Sequence, residues 1–187
     1  MEPVICRKLR RRAALFTCLV TRLGVLATFP PPVAAQSLEY PVKAAFLLNF
    51  TKFIEWQATV FAQPDAPLSI CILGDDPFGN TLDKTVTGEV VNGHRVVVQR
   101  LTRPPVAKSC QILFISGPEK DIHNIVAEVG PGTLTVGEGE NFVHDGGMIA
   151  FVIENRRVRF DINQAAAANA GLKLSSQLLK VARSVER

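Results

Sequence analysis

Histidine, cysteine and long apolar runs are all scarce in this chain, and each scarcity closes off a class of function. Three of the 187 residues are histidine. His94, His123 and His144 stand far apart, and none has a nucleophile or metal-ligand partner at a diagnostic spacing. No P-loop, G-x-G-x-x-G, H-E-x-x-H or G-x-S-x-G motif occurs. The phosphate cradle, the dinucleotide fingerprint, the zinc-protease helix and the nucleophile elbow are therefore missing. The sequence argues for no enzyme and implies no cofactor and no metal. Nor does any apolar run reach the roughly 20 residues of a membrane-spanning helix. Residues 13–20 and 23–29 are apolar, but Thr21-Arg22 separates them and Pro30-Pro31-Pro32 ends the second.

Those two short runs make sense as parts of a leader. Arg7, Lys8, Arg10, Arg11 and Arg12 precede them, and the small residues Val33-Ala34-Ala35 follow, with Gln36 next. A basic start, an apolar middle and a small-residue exit predict a secretory signal peptide over residues 1–35, cleaved near Ala35. An uncut membrane anchor is the competing reading, and the shortness of both apolar halves weighs against it. Cleavage leaves residues 36–187, enough for one domain with a proper core and no stable membrane insertion.

The bulk properties then change. The formal net charge of +4 rests on 21 Lys/Arg against 17 acids. Six of those cations and one acid belong to the leader, so the remainder carries fifteen basic against sixteen acidic side chains. Arg156-Arg157-x-Arg159 is its only dense basic group, and nucleic-acid binding needs a clustered basic face. No nucleic-acid partner is expected. Of four cysteines, Cys6 and Cys18 leave with the leader. Cys71 and Cys110 remain, either as one structural disulfide or as two buried thiols. An exported setting and an even pair favour the bond.

Along the exported part, apolar strands alternate with helices. Residues 40–56 read as a helix, with Val42, Ala45, Phe46, Phe50 and Phe53 on one buried stripe and Lys43, Lys52 and Glu55 left for solvent. Leu47, Leu48 and Ile54 widen its apolar face beyond what an ordinary surface helix requires. Residues 68–73 form a strand, followed by a short helix to about residue 84, capped by Asp76. Asn92-Gly93 predicts a hairpin between residues 89–91 and 95–99. Strands follow over 111–115 and 133–136, with a helix from Ser116-Gly117-Pro118 to about Val129 between them. Residues 148–153 and 158–162 form a second hairpin turning at Asn155. Asn163 caps a helix to about Ala170, and a last helix runs from Ser175 or Ser176 to about Ser184. The fold class is α/β: a single-domain α/β/α sandwich with a mainly parallel sheet and an antiparallel hairpin edge.

Two acidic groups invite a ligand reading. Asp75-Asp76 lies beyond a strand's C-terminal end, where open α/β sheets bind ligands, although a turn with a helix cap is the favoured reading. Glu138, Glu140, His144 and Asp145 fall within eight residues, but the glycines around them describe a loop with a polar rim first and a metal site second. Ser116, at another strand end, is a weak polar contact.

The segments YPVKAAFLLNFTKFIEW, LSICILGDDPFG, QILFIS, LTVGEGENF, GGMIAFVIENRRVRFDIN and AGLKLSSQLLKVA, in this order, resemble the YfiR/HmsC-like family of bacterial exported proteins. The resemblance runs from Tyr40 to about Ala182. It implies a periplasmic repressor that binds the periplasmic domain of an inner-membrane diguanylate cyclase. It also implies that an OmpA-like outer-membrane lipoprotein takes the repressor away, which raises cyclic di-GMP and promotes exopolysaccharide and biofilm formation. Cys71 and Cys110 match the family's cysteine pair. A second pair found in some members has no counterpart here, where Asp145 and Val152 stand in the matching region.

Repression requires no active site, only tighter binding to one state of the partner. Residues 165–179 are the leading partner-binding segment, because Leu172, Leu174, Leu178 and Leu179 exceed what one short stripe buries. Phe151, Arg157 and Arg159 are further candidates, and a second copy of the chain, in a homodimer, is a further partner the sequence leaves open. The alternative is a periplasmic small-solute-binding module that uses Asp75, Asp76, Ser116 and Glu138.

Overall fold

A computed structural model describes residues 38–104, 109–117 and 119–187. The predicted leader and Pro118 lie outside them. In chain order the elements are α1 (Glu39–Phe53), β1 (Ile54–Glu55), a 3₁₀ turn (Ala58–Val60), β2 (Leu68–Gly74), α2 (Asn80–Val86), β3 (Val90–Val91) and β4 (His94–Leu101). Then come β5 (Ile112–Ser116), α3 (Glu119–Glu128), β6 (Leu134–Glu138), α4 (Asn141–His144), β7 (Ile149–Glu154) and β8 (Arg157–Asn163). The chain closes with α5 (Gln164–Asn169), β9 (Lys173–Leu174), α6 (Ser176–Val181) and β10 (Ser184–Glu186).

Eight strands form one sheet in the order β10-β8-β7-β6-β5-β2-β4-β3. Its centre, β7-β6-β5-β2-β4, is parallel. The β7–β8 and β3–β4 hairpins are antiparallel. Burial on both faces explains why β2 and β5 read as unbroken apolar runs rather than alternating ones. Ile70, Ile72, Phe114, Val136, Ile149 and Phe151 point into one layer with α1. Cys71, Leu73, Leu113, Ile115 and Ala150 point into a second with α3 and α4. The sandwich expected from the alternating pattern is present.

Both hairpins turn on two residues of positive φ, as the twist of the paired strands demands. Asn92 and Gly93 (φ 51° and 87°) suit this conformation; at the other tip it is Asn155 and Arg156 (φ 49° and 61°). An arginine there carries a steric cost of about 1–2 kcal/mol that glycine avoids.

Cys71 in β2 and Cys110 ahead of β5 form a disulfide with Cα atoms 5.9 Å apart. It closes a loop of 39 residues, which in the chain-entropy model stabilises the domain by about 4 kcal/mol.

The ends of several helices differ from the sequence expectation. The first helix stops at Phe53, because Ile54 and Glu55 pair with Leu174 and Lys173 as a two-stranded antiparallel ribbon. Asp76 caps a turn ahead of α2, accepting from the Phe78 and Gly79 amides at 2.8 and 3.1 Å, and the helix begins only at Asn80. Asn163 and Ser175 cap α5 and α6 as expected. The last helix stops at Val181, and residues 184–186 instead lie parallel to β8 as an edge strand. Arg183 fixes that edge. Its Nε and Nη2 hold both oxygens of the buried Asp161, and its Nη1 reaches Glu140 at 2.7 Å.

Burial pushes the Asp161 pKa up, but hydrogen bonds from Arg183 and Ser184 outweigh it and hold the carboxyl below its ordinary range. A depressed folded-state pKa means that the stabilisation is full above the unfolded value of about 4 and is lost as pH falls through the folded value. Arg183→Met strands Asp161 without its cation and should cost about 3 kcal/mol at pH 7. Urea melts at descending pH are expected to show the gap between wild type and variant closing below about pH 4. A gap that does not change with pH would refute this account of the edge.

Candidate docking surface

The carboxyl ends of the parallel strands are where a solute would be sought, and at β2, β5 and β6 they are closed. Gly74 ends β2 with φ +89°, and a Cβ added to it would lie 1.9 Å from the Ser116 carbonyl oxygen. The ends of β2 and β5 thus touch backbone to backbone. At the end of β6, the Phe142 ring lies where a Cβ on Gly137 or Gly147 would sit, at 2.3 and 2.1 Å. These glycines of the GEG and GG segments make room for an aromatic ring of α4, a helix that the sequence reading missed.

Two of the polar groups expected there, Asp76 and Glu138, are held by cationic side chains of the domain itself. Asp76 accepts from Arg100 Nε at 2.7 Å besides capping its turn. Arg100 also reaches Asp83, and these carboxylates raise the guanidinium pKa above its usual range. Asp75 is exposed and Ser116 half-buried. Glu138 receives a hydrogen bond of 2.6 Å from Lys43 Nζ. Glu140 pairs with Arg183, and His144 Nδ1 stands 3.4 Å from Glu186. Among the described residues, no three or more His, Cys, Asp or Glu side chains converge as metal ligands.

Lys43 overturns an expectation. The sequence places it in solvent, yet it is 2% exposed. It donates to Glu39 and Glu138 and sits 4.7 Å from the Tyr40 ring centroid. Burial works to lower its pKa, but the hydrogen bonds to Glu138 and Glu39 outweigh it and raise the ammonium above the ordinary lysine range. A buried cation is tolerable only with such partners. These contacts fix the rotation of α1 about its axis. Lys43, Ala44, Leu47, Leu48, Phe50 and Thr51 turn inward. Val42 and Ala45, expected to be buried, are exposed, and Phe46 and Phe53 are half-buried.

The outward stripe of α1 is therefore Leu38, Val42, Ala45, Phe46, Asn49 and Phe53, spaced as one helix face and apolar except at Asn49. A helix apolar on all sides is normally covered on all sides. Within this domain one side stays open. Leu38, Val42 and Ile153 are 78%, 40% and 53% exposed and line one groove of about 570 Å³, between α1 and the tip of the β7–β8 hairpin. Phe46 belongs both to that groove and to a second of about 410 Å³, which continues along α1 to Phe53, Leu178 and Val181 of α6. Two arginines, Arg156 and Arg157, stand at the hairpin end.

The expected partner-binding residues divide. Phe151, Leu172 and Leu178 are 1%, 4% and 3% exposed and belong to the core. Phe151 stacks on Phe50 at a centroid distance of 5.9 Å and meets the Phe46 ring at a tilt, at 6.1 Å. The leucine surface expected at residues 165–179 thus shrinks to the half-buried Leu174 and Leu179. Arg157 does line the α1 groove, whereas the half-buried Arg159 is not among its lining residues. Leu38, Ile153, Arg156 and Val181 were not among the partner-binding residues expected from the sequence. The excess apolarity of residues 40–56 was the available signal.

No helix among the described residues is long and apolar enough to cross a membrane. Compared with known proteins, residues 40–183 match the family model described as YfiR/HmsC-like. No curated protein matches the sequence. Among solved structures, a conserved domain protein from Vibrio cholerae O1 biovar El Tor strain N16961 aligns at 12% identity and a TM-score of 0.47, covering 63% of this chain and 54% of that one. The ABC domain in complex with L-Trp from Streptococcus pneumonia aligns at 11% and 0.43, covering 63% and 55%. This chain spans little more than half the length of either, and neither likeness bears on function.

The closed strand ends generate a prediction. Gly74→Ala places a methyl against the Ser116 carbonyl and forces a positive φ on alanine, so it should destabilise the domain by about 3 kcal/mol. Guanidinium melts check this, and a change within about 0.5 kcal/mol would show that the crevice has room.

Proposed function

The chain belongs to the YfiR/HmsC-like family, known for periplasmic regulation, and from that premise we propose that it is an exported negative regulator. In this reading residues 1–35 direct export and are removed. The domain of residues 36–187 binds the periplasmic sensor domain of an inner-membrane diguanylate cyclase, represses cyclic di-GMP synthesis and limits exopolysaccharide and biofilm formation. An OmpA-like outer-membrane lipoprotein relieves it by competing for the repressor.

One observation carries the reading beyond family membership: α1 is apolar on both sides, and the domain covers only the side set by Lys43. An exposed apolar patch with a polar rim marks a surface that meets another macromolecule. The engaged carboxylates at the strand ends favour this over solute binding. Mechanically, a repressor of this kind acts by differential affinity. It holds the sensor domain in its inactive arrangement only to the extent that it binds that arrangement better than the active one. A rigid surface suits this task, and the Cys71–Cys110 bond stiffens the sheet behind it.

Deleting the gene in its native host should raise cyclic di-GMP. Restoring the full chain should reverse the rise, and restoring a version without residues 1–35 should not. No rise on deletion would sink the repressor reading, and rescue by the leaderless version would sink its periplasmic placement.

A further inference from the structure

The groove between α1 and the β7–β8 hairpin has a chemistry of its own. Ile153 and Val158 face each other across the ladder, and with Leu38 and Val42 they supply apolar walls. The hairpin tip extends beyond the strands beside it, since β6 reaches only Phe151 and β10 only Asp161.

Positive charge predominates at this groove. Among the described residues that line it, Glu39 is the one acid against two arginines, and it shares the Lys43 ammonium with Glu138. Arg156 and Arg157 are exposed and form no ion pair among the described residues, although Glu154 stands opposite Arg157 in the ladder. Arg156 also occupies a positive-φ position that glycine would fill more comfortably. An uncompensated cation held in a strained turn at the mouth of an apolar groove suggests a use for that cation.

We propose that this groove receives a protein segment in which a bulky apolar side chain stands next to carboxylates: the apolar side chain fills the groove, and Arg156 with Arg157 pairs the acids. The assignment rests on the docking reading above and names the chemistry of the partner. A flat anionic membrane matches the charge but offers nothing to fill the groove.

The test uses purified ¹⁵N-labelled protein and two peptides, acetyl-Glu-Asp-Leu-Phe-Asp-Glu-amide and acetyl-Lys-Lys-Leu-Phe-Lys-Lys-amide. The acidic peptide is expected to shift the amides of Val42, Ile153 and Arg156 and to bind about tenfold tighter than the basic one. Arg156→Gly relieves the turn, so it should melt at a higher temperature yet bind the acidic peptide up to about fivefold more weakly, the usual range for one exposed ion pair. Arg156→Glu with Arg157→Glu should invert the preference. Equal binding of the two peptides, shifts elsewhere, or a glycine variant of unchanged affinity would overturn the proposal. So would binding to phosphatidylglycerol vesicles without any peptide preference. The deletion experiment uses no peptide, so cyclic di-GMP that rises on deletion while the peptides fail removes the groove assignment alone.

Discussion

Lys43 is the contact on which the rest of the arrangement turns. An ammonium 2% exposed would be untenable without partners. Here it reaches Glu39 one turn back on its own helix and Glu138 at the end of β6, with the Tyr40 ring beside it. Because α1 carries apolar residues on every side, hydrophobic burial alone does not choose which side faces the sheet. The polar clamp does. It commits Leu47, Leu48 and Phe50 to the core and leaves Val42 and Ala45 outside. It also uses up Glu138, which a ligand at the strand ends would need.

What could be read in the sequence follows from what is local. Strands buried on both faces appear as apolar runs, and the Asn92-Gly93 and Asn155 turns appear as turn chemistry, so the sheet and both hairpins were legible. Asn163 and Ser175 announced the starts of two helices. The ribbon of β1 with β9 and the edge strand β10 were not legible, because each exists only through a distant partner. A two-residue pairing such as Ile54 with Leu174 leaves no periodic trace. The rotation of α1 was hidden for the same reason. With apolar residues on every side, periodicity offers no preference, and Glu138 lies 95 positions away from Lys43. The C-terminal leucines looked surplus on a short tail, but Leu172 and Leu178 had a core to enter.

Two surfaces of the domain have different characters. At the strand termini, where α/β folds often bind small molecules, backbone contact at Gly74 and the Phe142 ring at Gly137 fill the space. Along α1, two grooves that share Phe46 leave apolar side chains in the open. A fold that closes its crevice and opens a helix face is arranged for a macromolecular partner. The disulfide and the Arg183–Asp161 pair hold the sheet behind that face. A preorganised surface loses less on binding than one that must order itself.

The most direct measurement is repression by two aspartate variants in the deletion host, at matched periplasmic levels and with the disulfide formed. Val42→Asp places a charge on the open face of α1. Val90→Asp places the same charge at another exposed valine, 60% exposed on β3 at the far edge of the sheet. The account predicts that cyclic di-GMP in the Val42 variant rises to the level of the deletion, while the Val90 variant represses normally. Full repression by the Val42 variant would contradict it.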